Sequence, residues 1–211
     1  NEVRMPTTTF VCLNAGNYCD RGAEYVNNLY DMVARNLSPN IKAKFACLTD
    51  NPDGLDKNII AMPLPSDLAG WWGKLYLFKD KLFPENERMI FLDLDTLIVN
   101  NIDKVVSYDG DFATLRDFYN HDALGPGVMM WRSGACNVIW DEWEAQGRPL
   151  NDMGDLWWIN SILHKIGNID VLQDVFPGEF VSYKQQCTIA PPSDSSIVCF
   201  HGLPRPHDVG G

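Results

Sequence analysis

The sequence predicts an α/β fold in which a mainly parallel sheet is flanked by helices. Three observations predict it. Over the first hundred residues, short apolar runs alternate with stretches whose apolar residues recur at helical spacing. The run from Arg88 to Val99 is apolar on both sides of two aspartates, Asp93 and Asp95, as expected of a central strand buried on both faces. Finally, 211 residues with 45% apolar content suffice for one domain, residues 1–211, with a full core.

The elements follow in order. Residues 8–13 form a first strand, ending in the polar loop Asn14-Ala15-Gly16-Asn17. Val26, Leu29, Tyr30, Val33 and Leu37 mark the buried face of a helix over 23–37, stopped by Ser38-Pro39-Asn40. Residues 44–49 are a second strand, followed by the turn-rich Asp50-Asn51-Pro52-Asp53-Gly54, and 59–62 are a short third. A helix is expected from Leu68 or Gly70 to Leu82, closed by Pro84. The strand with the aspartates comes next. Parallel sheets bind ligands at the carboxyl ends of their strands, so Asn14, Asp50 and Asp93 are expected to share one edge. In the second half, 111–115 and 128–131 are expected strands, and 137–146 and 155–166 are expected helices. Residues 196–200 are a last strand, leading into His201-Gly202-Leu203-Pro204-Arg205-Pro206.

The net charge of −11 argues against broad binding to nucleic acid or an anionic membrane, since nothing offsets phosphate repulsion. No apolar run approaches the roughly 20 residues that span a bilayer. Six cysteines include no Cys-x-x-Cys pair, and Cys12, Cys47 and Cys199 lie inside apolar runs. They are expected to be reduced thiols, which implies a cytoplasmic location.

Alternate side chains share a face along a strand, so Asp93 and Asp95 are expected to point the same way. Two carboxylates about 4–6 Å apart repel by roughly 3–4 kcal/mol at an effective dielectric of 20. Either one is protonated or a cation lies between them. Hard oxygen ligands of this kind suit Mg²⁺ or Mn²⁺. His201, at a strand end beside a glycine, is a further candidate ligand. Lys74 has two readings of equal weight, a solvated helix charge or a cation of the site. Arg205 between two prolines suits a phosphate contact and also a plain exit loop. Asp155, at the start of its helix, reads locally as an N-cap. Most of the seven tryptophans are expected in the core, with Trp157 or Trp158, next to Asp155, the candidate to stack on a bound sugar or other ligand.

Asp93-Leu94-Asp95, Gly127-Val128-Met129-Met130-Trp131, Gly154-Asp155 and Phe200-His201-Gly202 through Arg205-Pro206 occur in an order and spacing that resembles the glycogenin-like glycosyltransferases. The resemblance runs from Phe10 to Pro206 and implies the Rossmann-like GT-A fold, with Asp-x-Asp at the end of a central strand. It implies transfer of a sugar from a nucleotide-sugar donor, usually a UDP-sugar, to an acceptor it does not identify, with retention at the sugar carbon. Asp93, Asp95 and His201 would hold Mn²⁺ (or Mg²⁺). Leu13, Asn14, Tyr18, Asp50, Leu94 and Gly202 would contact the donor. Arg205 and Lys74 would meet its diphosphate side, and Lys74 and Asp155 would serve the transfer itself. This chain departs from the family in having Gly125-Pro126-Gly127 for Asn-x-Gly and Leu156 for the Gln of Gly-Asp-Gln. Its final motif is also shortened, with His201 directly followed by Gly202.

Two other classes share some of these residues. Asp93-Leu94-Asp95-Thr96-Leu97 resembles the nucleophile and acid pair of haloacid dehalogenase-type phosphatases. That family places a glycine before the Thr and the motif on an N-terminal strand, and neither condition holds here. A non-catalytic nucleotide-sugar or glycan-binding module, with Leu156 in place of the Gln, is the other.

Overall fold

The computed structural model describes residues 7–187 and 189–209. Strand β1 (Thr8–Asn14) is followed by helix α1 (Gly22–Asn36), β2 (Ala43–Thr49) and β3 (Ile60–Pro63). A 3-10 turn, Gly70–Trp72, runs into the single turn of α2 (Gly73–Tyr76). Next come β4 (Arg88–Leu92), β5 (Thr96–Ile98), α3 (Asp103–Val106), β6 (Phe112–Arg116) and β7 (Leu124–Arg132). Helices α4 (Val138–Ala145) and α5 (Gly154–Ile162) lead to β8 (Asp170–Val171) and α6 (Leu172–Val175). The last elements are β9 (Phe180–Ser182), α7 (Tyr183–Gln186) and β10 (Ile197–Cys199).

Seven strands make the main sheet in the order β3-β2-β1-β4-β7-β6-β8, with β7 antiparallel to both its neighbours and the other pairs parallel. The two-residue period of a strand builds one core on each side of it. Phe10, Cys12, Ile90, Leu92, Val128 and Met130 face α1 through its buried Tyr25, Val26, Leu29 and Val33. Val11, Met89, Phe91, Met129 and Trp131 face Trp140, Trp143, Trp158 and Ile159 of α4 and α5. A second sheet, β5-β10-β9, stands beside the first. Among the described residues no helix is long and apolar enough to cross a membrane.

Three expectations change. The helix expected to reach Leu82 dissolves after Tyr76 into successive tight turns, with Leu77, Phe78 and Lys79 N–H donating to the carbonyls three residues back. Leu75, Leu77 and Phe78 are all buried, a clustering that one stripe of a long helix cannot supply. The strand expected at 128–131 begins at Leu124 instead. Pro126 sits where the β6–β7 register slips between Thr114 and Leu115, a place where a missing N–H is tolerated. The aspartates are not on a strand. β4 ends at Leu92, and Asp93-Leu94-Asp95 form a turn closed by Thr96 N–H on Asp93 O at 3.0 Å. That turn carries the chain from the main sheet into the small one.

Candidate active site at the carboxyl edge of the sheet

Because β1, β2 and β4 are parallel, Asn14, Asp50 and Asp93 emerge at the same edge. Asn14 is buried and its Oδ1 accepts the Tyr18 N–H at 3.2 Å, folding the first loop back over β1. Asp50 Oδ2 accepts the Gly16 N–H at 3.0 Å and so ties that loop to the end of β2.

Two charged clusters flank the aspartate turn. In the first, Lys74 Nζ lies 2.9 Å from Asp155 Oδ2 and 3.3 Å from Asp93 Oδ1, and it donates to Pro126 O at 3.4 Å. Lys74 is buried, which settles the choice against a solvated helix charge. Burial opposes its charge, but the Asp155 and Asp93 carboxylates outweigh that and hold the ammonium above its ordinary value. Burial also raises Asp93, to about 7, with Lys74 pulling down and Asp95 pushing up. Its side chain keeps 40% of its surface open to the cleft. Asp155 Oδ2 is buried without a well-aligned hydrogen bond, so the Lys74 ammonium is what balances it. Met153, not Asp155, is the N-cap of α5.

In the second cluster Asp95 Oδ2 accepts from Arg205 Nη1 at 2.8 Å and from Tyr18 Oη at 3.3 Å. The Arg205 guanidinium also donates to Tyr18 Oη and lies over the Tyr18 ring, 5.2 Å from its centroid. Burial lifts the Asp95 proton affinity, and Arg205 counters it. Arg205 N–H is in turn held by Asp208 Oδ2 at 2.8 Å, so the segment after β10 is folded onto this pair.

His201 lies apart from Asp95. Its Nε2 is 2.8 Å from Ser182 Oγ, its carbonyl accepts from Lys184 Nζ, and its ring stacks on Phe118. Burial and the Lys184 charge lower its proton affinity, so the ring is neutral near pH 7. Among the described residues no three His, Cys, Asp or Glu side chains converge as a metal-binding group.

A cavity of about 240 Å³ joins Lys74, Asp93, Asp155 and His201 with the Asp117–Tyr119 loop. Leu13, Asn14, Tyr18, Asp50, Leu94, Asp95, Gly202 and Arg205 do not line it. Leu94 is in the core, and Leu13 packs where a side chain on Gly73 would sit. Gly202 has φ +76 and lies against Lys184.

Three residues of this region were not singled out by the sequence. Phe118 and Tyr119 flank His201, and Trp71 covers the start of α5. Gly154 has φ +64, and a Cβ there would fall 2.2 Å from Trp71 Nε1. Trp71 is 54% exposed, whereas Trp158 is core and donates to Ile139 O at 2.8 Å. The aromatic pair before Asn120 was the available signal for that loop.

No protein-family model and no curated protein sequence matches the chain. Solved structures do. The glycosyltransferase GlyE of Streptococcus pneumoniae TIGR4 superposes with a TM-score of 0.61 at 12% identity, over 95% of this chain and 55% of that one. The galactosyltransferase LgtC, solved with donor and acceptor sugar analogues, gives 0.65 at 14% identity, over 94% of this chain and 88% of that one. The bifunctional glycosyltransferase WbbM gives 0.67 at 10% identity, over 98% of this chain and 48% of that one. The chain has the fold of these glycosyltransferases. It spans about half the length of GlyE and of WbbM. In this fold the aspartate turn and its two charged clusters stand at the carboxyl edge of the sheet, where ligands bind.

Proposed function

We propose that the protein is a glycosyltransferase that moves a sugar from a nucleotide-sugar donor, a UDP-sugar in the simplest case, to a hydroxyl acceptor. The observation that carries this is the bridge Asp93–Lys74–Asp155 lining a cavity at the ligand-binding edge of a glycosyltransferase fold. LgtC, of the same fold, was solved with donor and acceptor sugar analogues, which supports a two-substrate site. Glycosyl transfer builds negative charge on the departing diphosphate, and fixed cations nearby stabilise it. Lys74 and Arg205 are the cations of the two clusters. Asp155 orients the sugar or the attacking hydroxyl, and the proposal includes retention at the sugar carbon.

The Mn²⁺ or Mg²⁺ implied by the resemblance does not find its three ligands in this arrangement. Asp95 is taken by Arg205 and Tyr18, and His201 Nε2 faces Ser182. Asp93 is partly open to the cleft but already lies 3.3 Å from the Lys74 ammonium.

The test is product release from UDP-sugars, measured as UDP, beside hydrolysis of p-nitrophenyl phosphate. Release of UDP that Lys74→Met abolishes is the expected result. Phosphate release from p-nitrophenyl phosphate without UDP release would instead support the phosphatase class. Nucleotide binding with no turnover on any donor would leave a binding module.

A further inference from the structure

A second groove lies at the opposite end of the sheet from the aspartate turn. The amino ends of β1 and β2 and the last turns of α1 enclose about 400 Å³, lined by Phe10, Val33, Leu37, Ile41 and Phe45 and reaching Ile60 at the start of β3. β2 is 7 residues long, which sets this groove roughly 20 Å from the carboxyl edge. Its wall is fixed in place. The turn after α1 is closed by Ile41 N–H on Ser38 O at 3.0 Å, and Ser38 N–H donates to Asp103 Oδ1 at 2.9 Å.

Two observations point to what the groove takes. β3 is the outermost strand of its sheet and pairs with β2 alone, so its other edge offers unpaired backbone groups, and Ile60 is 48% exposed. The second observation is charge. Among the described residues, Arg35, Lys42 and Lys57 are the cationic side chains that no carboxylate, hydrogen bond or aromatic ring engages. All three are exposed, and each is the chain neighbour of a lining residue, Ala34, Ile41 and Asn58 respectively. In a chain of net charge −11 the uncommitted positive charge is therefore gathered beside one apolar groove.

We propose that this groove docks a partner protein through an extended acidic peptide segment, which adds to β3 as a further strand and lays alternate apolar side chains into the groove. Strand addition supplies main-chain hydrogen bonds, the groove buries apolar side chains, and the cations select an acidic sequence. A second copy of the chain fits less well, because two-fold pairing along β3 would bring the same cations of both copies to one interface. An anionic bilayer is opposed by the charge of the rest of the molecule. The docking site is independent of the transfer chemistry at the other edge.

Fluorescence anisotropy of the full chain with the labelled peptide Glu-Val-Glu-Phe-Glu-Val-Glu tests this, beside Lys-Val-Lys-Phe-Lys-Val-Lys and the acidic peptide N-methylated at alternate backbone nitrogens in either phase. The acidic peptide should bind, the lysine peptide about tenfold or more weakly, and methylation in at least one phase should remove binding. Lys42→Glu combined with Lys57→Glu should weaken the acidic peptide by about tenfold or more, and Ala34→Trp, which fills the groove from α1, should do the same. Unchanged urea midpoints in these variants separate a lost site from a misfolded chain. No binding of the acidic peptide at millimolar concentration, equal binding of the lysine peptide, indifference to methylation in both phases, or binding that the variants leave unchanged would overturn the proposal. Without peptide binding, co-sedimentation with phosphatidylserine vesicles that the double charge variant abolishes would assign the groove to a bilayer. A dimer in sedimentation equilibrium that Ala34→Trp dissociates would assign it to a second copy. Either result would overturn the peptide site.

Discussion

The Lys74 ammonium and the Asp155 carboxylate, 2.9 Å apart and both buried, join the single turn of α2 to the first turn of α5. Lys74 also reaches Asp93, so one cation balances two acids drawn from elements 62 and 19 residues either side of each other along the chain, Asp155 to Asp93 and Asp93 to Lys74. Breaking such a buried pair by removing one partner leaves an uncompensated charge. Lys74→Met should therefore lower unfolding free energy by about 3–5 kcal/mol in urea titrations. A loss below about 1 kcal/mol would mean that the two carboxylates find other partners or protons.

Asp155 distinguishes a helix cap from an ion-pair partner. An N-cap aspartate is replaced by asparagine at little cost. Since Met153 holds the cap position and Asp155 faces Lys74, Asp155→Asn should instead cost up to about 3–5 kcal/mol, as when one partner of a buried ion pair is removed. Transfer should fall by about 100-fold or more with UDP affinity near wild type, as when an interaction acts mainly in the transition state. Near-normal turnover in this variant would remove Asp155 from the chemistry.

Arg205 is predicted to act in opposite directions on two ligands. Its removal frees Asp95, so Arg205→Ala should strengthen Mn²⁺ binding to the nucleotide-free protein. It should also weaken UDP binding by about 1.5–3 kcal/mol through loss of a charge-assisted contact. Calorimetry of each ligand alone measures both. If Mn²⁺ affinity is unchanged, Asp95 is not the group that Arg205 withholds from a cation.

Asp93 gives a pH signature. Its proton affinity rises from the ordinary 3.8 to about 7 in the folded chain, so the folded state holds the proton more tightly than the unfolded one. Stability from this group is present below about pH 4 and is lost as pH rises towards 7. Asp93→Asn should flatten that slope and raise stability above pH 7, measured by urea unfolding in chelated buffers. Parallel slopes for the two proteins across this window would show that Asp93 does not titrate there.

Much of the architecture was legible because it depends on period. The apolar runs of β1 and β4 and the helical stripe of α1 are properties of contiguous residues; β1 and α1 lie within two residues of their expected bounds, while β4 stops at Leu92, short of the aspartates. What escaped was shorter than a period or depended on distant partners. β8, β9, α6 and α7 have between two and four residues each, too few to show a pattern. Pro126 argues against a strand unless the neighbouring ladder slips there, as it does between Thr114 and Leu115, so the first residues of β7 carry no strand signal of their own. The candidate residues divide the same way. Asp93 announced itself through the apolar run before it. The burial of Lys74 and the seating of Arg205 on Asp95 come from tertiary neighbours that no local window contains.

The seating of Arg205 has a consequence for how the molecule assembles. Its contact with Asp95 spans 110 residues of chain and its contact with Tyr18 spans 187. Contacts of such separation must overcome a large loop-closure entropy and form after local and neighbouring-strand contacts have drawn the chain together. We therefore predict that a refolding chain orders its sheet before Arg205 seats on Asp95. Native fluorescence from the buried tryptophans should return before the capacity to bind a nucleotide does.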